Sequence, residues 1–121
     1  MAGLALDHLQ IAIPAGGEER ARAFYGGLLG LAETPKPEIL RGRGGLWFAL
    51  EGGIGLHLGI DPAFRPATKA HPGFLSGDLG ALLARLESAG HDIMRGRDPQ
   101  GRARAYVDDP FGNRLELIGL T

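Results

Sequence analysis

The sequence predicts an α+β fold built from two strand-helix-strands units in series. Three observations point to it. Period-two alternation marks several short strands, period-3.6 runs mark two helices, and the order of elements in the first half returns in the second.

The first unit opens with "LDHLQIAI", which alternates as a strand, with Leu9, Ile11 and Ile13 on one face and His8, Gln10 and Ala12 on the other. "EERARAFYGGLLGL" follows. There Ala21, Phe24, Tyr25 and Leu28 fall at i, i+3, i+4 and i+7, the spacing of an amphipathic helix, and the glycines after Tyr25 are expected to end it. The runs "GGLWFAL" and "GGIGLHLGI", joined by "EGG", read as a hairpin. "DPAFRPATKA", rich in proline and charge, reads as a joint.

In the second unit, "HPGFLSGD" is a strand and Asp78 caps a helix whose Leu79, Leu82, Leu83 and Leu86 repeat the i, i+3, i+4, i+7 spacing. Gly90 stops it. "ARAYVDDPFGNRLELIGL" is a second hairpin, turning at its Pro, Gly and Asn. The expected organisation is one domain over 1–121, made of modules 1–60 and 70–121 joined by linker 61–69. A strand-helix-strands unit cannot cover its own sheet, so the units are expected to pair, within a chain or between chains.

With 121 residues, 44% apolar and 22% charged, the chain has the size and composition of a folded globular domain. A net charge of -1 offers no basic face for nucleic acid. No run approaches the roughly 20 apolar residues of a membrane span, and the start lacks the pattern of a signal peptide, so a cytoplasmic protein is expected. The chain has no cysteine, so any metal site must use nitrogen and oxygen donors.

Strand parity isolates four such donors. In "IGLHLGI" the apolar side chains face one way, leaving His57 opposite with Gly55 and Gly59, which clear space around it. Glu116 likewise points away from Leu115 and Leu117, His8 from Leu9 and Ile11, and His71 shares a face with Gly73 and Leu75. His8 and His71 open the two halves; His57 and Glu116 stand in their last strands. Three imidazoles and a carboxylate at matching places suit a divalent ion such as Zn, Ni, Fe or Mn. His91, just past a helix stop, reads as a solvated helix end and is left out.

On "DHLQIAI", "AFYGGLLGL", "HPGF" and "VDDPFGNRLELI", together spanning nearly the whole chain, the sequence resembles the vicinal oxygen chelate superfamily. That superfamily includes glyoxalase I, fosfomycin-resistance thiol transferases, extradiol dioxygenases and bleomycin-resistance proteins. The resemblance implies two βαβββ modules forming a cup-shaped mixed sheet with helices on the outer side, and a homodimer. It also implies a metal held by His8, His71 and Glu116, with Tyr106 nearby. His57 falls where bacterial-type glyoxalase I carries an acidic ligand that helps proton transfer. Here it is expected to be a fourth ligand or the catalytic acid-base group.

Further residues share these faces. Gln10 is expected to touch substrate or to support a ligand from behind, and Trp47 either lines a cavity or fills core or a dimer seam. Arg102, Arg104 and Tyr106 alternate on one face, where Arg104 and Tyr106 suit an anionic or polyhydroxylated substrate and Arg102 reads as a solvated strand edge. Two readings of function follow. The first is a metal-dependent glyoxalase- or dioxygenase-like enzyme, a lyase, transferase or dioxygenase acting on a small oxygen-rich molecule. The second is a metal-free binding protein of the bleomycin-resistance kind.

Overall fold

The alternating runs do build sheets. The computed structural model describes residues 2–120, the side chain of Arg41 excepted, and divides into two compact units, Met1–Arg65 and Pro66–Thr121.

In the first unit, β1 (His8–Ile13), β2 (Ala32–Thr34), β3 (Leu46–Ala49) and β4 (Gly55–Ile60) form a mixed sheet in the order β1-β4-β3-β2. β1 lies parallel to β4, and the β3–β4 hairpin turns at Glu51–Gly53 as expected. The register sets Gln10 and Trp47 on either side of His57, and His8 beside Gly55. Their side chains therefore share a face. The opposite face buries Ile13, Leu46, Phe48, Leu56 and Leu58 beneath Phe24 and Tyr25, each such burial contributing about 1.5–3 kcal/mol.

The helix that carries Phe24 and Tyr25 departs from the expected one. A short α1 (Glu18–Ala21) passes into a π-helical stretch, Arg22–Leu28, whose wider turn is closed by Leu29 N–H donating to the Phe24 carbonyl at 2.9 Å. Gly26 and Gly27 lie inside that stretch instead of ending it. Gly26 sits against the Phe48 ring, where an added Cβ would be 3.5 Å from the ring edge, so its missing side chain lets the helix ride close to the sheet. Arg22 ties the helix to β2 through Glu33, with Nε donating to Oε1 at 2.7 Å. That guanidinium holds the Glu33 carboxyl below the usual carboxylate range.

The second unit repeats the plan. β5 (Gly73–Ser76), α2 (Leu79–Ser88), β6 (Met94–Arg97), β7 (Ala103–Asp108) and β8 (Arg114–Gly119) give the sheet order β5-β8-β7-β6, with β5 parallel to β8. β5 is shorter than the expected strand, and His71 stands in its lead-in. α2 packs Leu82, Leu83 and Leu86 on the face that buries Ala105, Val107, Leu115 and Leu117. Its start is the expected one, Asp78 Oδ1 accepting from Ala81 N–H at 3.1 Å. Its end is a Schellman motif: Gly90, at φ +91°, donates to the Glu87 carbonyl and His91 N–H to the Leu86 carbonyl. His91 thus closes the helix through its backbone.

Two turns of this unit share one design. In "DPQGR" and "DPFGN" the aspartate Oδ1 accepts from the backbone N–H groups two and four residues on, at 3.0 and 2.7 Å for Asp98 and 2.9 and 2.9 Å for Asp109. Arg102 is spent on the first. Its Nε donates to Asp98 Oδ2 at 2.7 Å, so the residue read as a solvated strand edge is a turn clamp.

β2 and β6 carry no alternating apolar pattern, and all of β6 is exposed. They are edge strands, held by backbone pairing on one side only. No helix among the described residues is long and apolar enough to cross a membrane.

Candidate functional site

The eight residues singled out in the sequence fall into two clusters, one on the helix-free face of each sheet. His8, Gln10, Trp47 and His57 meet in the first unit. His71, Arg104, Tyr106 and Glu116 meet in the second.

The first cluster is a stack of rings. Trp47 lies flat on His57, centroids 3.8 Å apart and planes 2° from parallel, and His57 in turn stacks on His8 at 4.6 Å and 17°. The two glycines flanking His57 do clear space, each for a different side chain. An added Cβ at position 55 would sit 3.0 Å from His57 Nε2 and 3.4 Å from His8 Cβ, while one at position 59 would sit 2.8 Å from Gln10 Nε2. Burial and the neighbouring His8 imidazole lower the His57 pKa, with Asp7 opposing, so the ring is neutral at neutral pH. The stack forms one wall of an open groove of about 600 Å³, also lined by Asp7, Thr34, Ala49 and Ile54.

Asp7 was not singled out from the sequence. Its Oδ2 accepts from His8 Nδ1 at 2.8 Å, which leaves the lone pair of His8 on Nε2. Adjacency to His8 was the only available signal.

The second cluster is ionic. His71 donates from Nδ1 to the Lys69 carbonyl at 2.9 Å, and its Nε2 lies 3.0 Å from Glu116 Oε1. With Nδ1–H committed to Lys69, a neutral His71 presents a lone pair at Nε2 to the lone pairs of a carboxylate. Two acceptors facing each other at this distance need a positive charge between them, a proton or a metal ion. The other carboxylate oxygen, Oε2, lies 3.6 Å from Arg104 Nη1. Tyr106 is crowded by cations, with the guanidinium carbons of Arg104 and Arg114 at 4.8 and 5.4 Å from its ring centroid and His71 edge-on at 5.5 Å. Arg114 shares this face, directly opposite Asp108 on β7. Its parity with Glu116 along β8 was the signal that it shares the face.

Each cluster offers part of a donor set for a divalent ion. His8 and His71 each have Nδ1–H anchored on an oxygen, the posture that aims Nε2 at a metal, and Glu116 adds a carboxylate oxygen beside His71. Among the described residues, no three His, Asp or Glu side chains already gather as a metal centre.

The comparisons with known proteins agree on a family. The family model described as Glyoxalase/Bleomycin resistance protein/Dioxygenase superfamily matches residues 5–117. The solved structure of a candidate glyoxalase family protein from Bacillus anthracis is 40% identical, with 98% of this chain and 97% of that one covered and a TM-score of 0.91. A superfamily member from Sphaerobacter thermophilus shares the fold at 16% identity, 98% and 99% coverage and a TM-score of 0.77. The lactoylglutathione lyase of Agrobacterium tumefaciens does so at 23% identity, 99% and 96% coverage and a TM-score of 0.71. No curated protein matches.

Proposed function

From the premise that the chain belongs to the Glyoxalase/Bleomycin resistance protein/Dioxygenase superfamily, we propose that it is a divalent-metal-dependent enzyme acting on a small oxygen-rich molecule. The observation that carries this reading is the meeting of His71 Nε2 and Glu116 Oε1, a ring nitrogen and a carboxylate oxygen 3.0 Å apart with the other ring nitrogen anchored from behind. His71 and Glu116 are its donors, together with His8. When bound, Zn, Ni, Fe or Mn would act as a Lewis acid toward two neighbouring oxygens of the substrate.

The chain's own residues supply the rest. The Lys69 carbonyl holds the His71 ring in one tautomer, and Arg104 stands over the second oxygen of Glu116. Arg104 and Arg114 turn two guanidinium groups onto the face that also carries Glu116 and, opposite Arg114, Asp108, and these donors suit an anionic group such as a carboxylate or phosphonate. Neutral His57 is competent to accept a proton, and Gln10 and Trp47 to contact substrate. A homodimer working in the cytoplasm is part of the same proposal.

Elemental analysis of protein purified without chelator tests it. About one divalent ion per chain is expected, with His71→Ala and Glu116→Gln each weakening binding by about a hundredfold or more. A folded His71→Ala protein that keeps its metal would overturn the assignment.

The alternative, a metal-free binding protein of the bleomycin-resistance kind, draws support from the first unit alone. There a ring-lined groove offers a flat aromatic wall without calling on any ion. No uptake of Zn, Ni, Fe or Mn by the wild-type protein would favour it.

A further inference from the structure

A metal-imidazole bond runs along the nitrogen lone pair, in the plane of the ring, at about 2.0–2.1 Å. Two histidines that share an ion must therefore turn their ring planes so that both pass through it. His8 and His57 are turned otherwise: their rings stack with centroids 4.6 Å apart and planes only 17° from parallel. Planes so disposed do not meet at bonding distance from both rings. In this arrangement one ion cannot take a nitrogen from each.

The surroundings hold the stack in place. Trp47 covers the other face of His57, 2° from parallel, and the absent side chain of Gly55 leaves room for the imidazole edge. His57 is thus the middle ring of three. His8 has one nitrogen committed to Asp7, and the remaining freedom of its half-exposed side chain is rotation of the ring, which a flat neighbour restricts.

We infer that His57 is a positioning residue for His8: it sets the plane of the His8 ring by stacking and gives no nitrogen to the ion. The part concerning the ion rests on the metal reading above; the part concerning the ring does not. The inference separates His57 from the ligand role expected of its place in the chain.

The test compares His57→Phe, which keeps a flat ring, with His57→Ala and His8→Ala. In metal-free protein, through-space proton NMR correlations of the His8 ring report the direction of its plane. His57→Phe is expected to keep the wild-type set and His57→Ala to lose it. On titration with Zn or Ni, His57→Phe should bind within about threefold of wild type, His57→Ala about tenfold more weakly, and His8→Ala far more weakly still.

Loss of metal by His57→Phe as complete as that of His8→Ala would make His57 a ligand and overturn the inference. Unchanged His8 correlations in His57→Ala would overturn it as well, because the stack would then position nothing. A wild-type protein that takes up no metal would instead overturn the proposed function, and the metal-free NMR comparison would still decide the role of the stack.

Discussion

The two units lay the same strand order over different contents. In the first, the helix-free face is held by packing: a tryptophan and two imidazoles in van der Waals contact, with glycines beneath them. In the second, the equivalent face is held by charge: a histidine, a carboxylate and two guanidinium groups around a tyrosine. The helices differ too. The first is short, has no side-chain cap and widens into a π stretch, whereas the second is a regular capped α-helix. A shared backbone plan supplies equivalent positions, and the side chains decide whether sterics or electrostatics organises each one.

The comparison can be broken first at the cores. Phe24→Ala, in the π stretch, should destabilise by about 3–5 kcal/mol, and Leu86→Ala, in α2, by about 2–5 kcal/mol, both read from denaturant melts. A loss under about 1 kcal/mol for Phe24→Ala would mean that the π stretch does not cover the first sheet. The site faces come next. Gly55→Ala forces a methyl group against His57 and His8 and should cost about 1–3 kcal/mol. Gly73→Ala, beside Glu116, meets nothing closer than 3.8 Å and should stay within about 0.5 kcal/mol of wild type. Equal effects of the two glycine substitutions would erase the distinction between a packed face and a charged one.

The caps offer a smaller contrast. Asp78→Ala should cost about 1 kcal/mol by thermal unfolding, since it removes the acceptor for Ala81 N–H, and the first helix has no corresponding residue to lose. The smallest effect is on acid sensitivity. Burial pushes the Asp98 carboxyl up, but the Arg102 backbone N–H and guanidinium outweigh it and hold the pKa below the ordinary value near 4. A carboxyl depressed in the folded state contributes stability that is present above the unfolded pKa and lost as pH falls through the folded one. Asp98→Asn should therefore flatten the acid limb of the stability profile below about pH 4. An unchanged limb would show that the turn is not linked to acid unfolding.

Much of this was legible in the sequence, because strand parity is a property of the backbone. Parity alone places His8, Gln10, Trp47 and His57 on one face and Arg104, Tyr106 and Glu116 on another, and the paired glycines flag crowding beside His57. Asp78 and Gly90 likewise announce the second helix by local chemistry. What parity does not carry is the direction of a ring. The stack of His8 on His57 depends on rotamers chosen against Trp47, and the anchoring of His71 depends on a backbone carbonyl two residues away. The edge strands left no trace in "AET" and "MRGR" because strands so largely exposed need no alternating apolar pattern. The π stretch was missed because the i, i+3, i+4, i+7 spacing of Ala21, Phe24, Tyr25 and Leu28 reads the same whether or not the turn widens. Arg102 was misread because alternation cannot see that the strand begins one residue later, at Ala103.

Trp47 is the chain's single tryptophan, and it lies 3.8 Å from His57. Tryptophan emission, excited where the two tyrosines do not absorb, is an optical label in one half only. It follows the ring stack of the first unit, while far-ultraviolet ellipticity sums the backbone of both. Coincident unfolding curves from the two signals would show that the units melt as one cooperative system; separated curves would resolve them without any added dye.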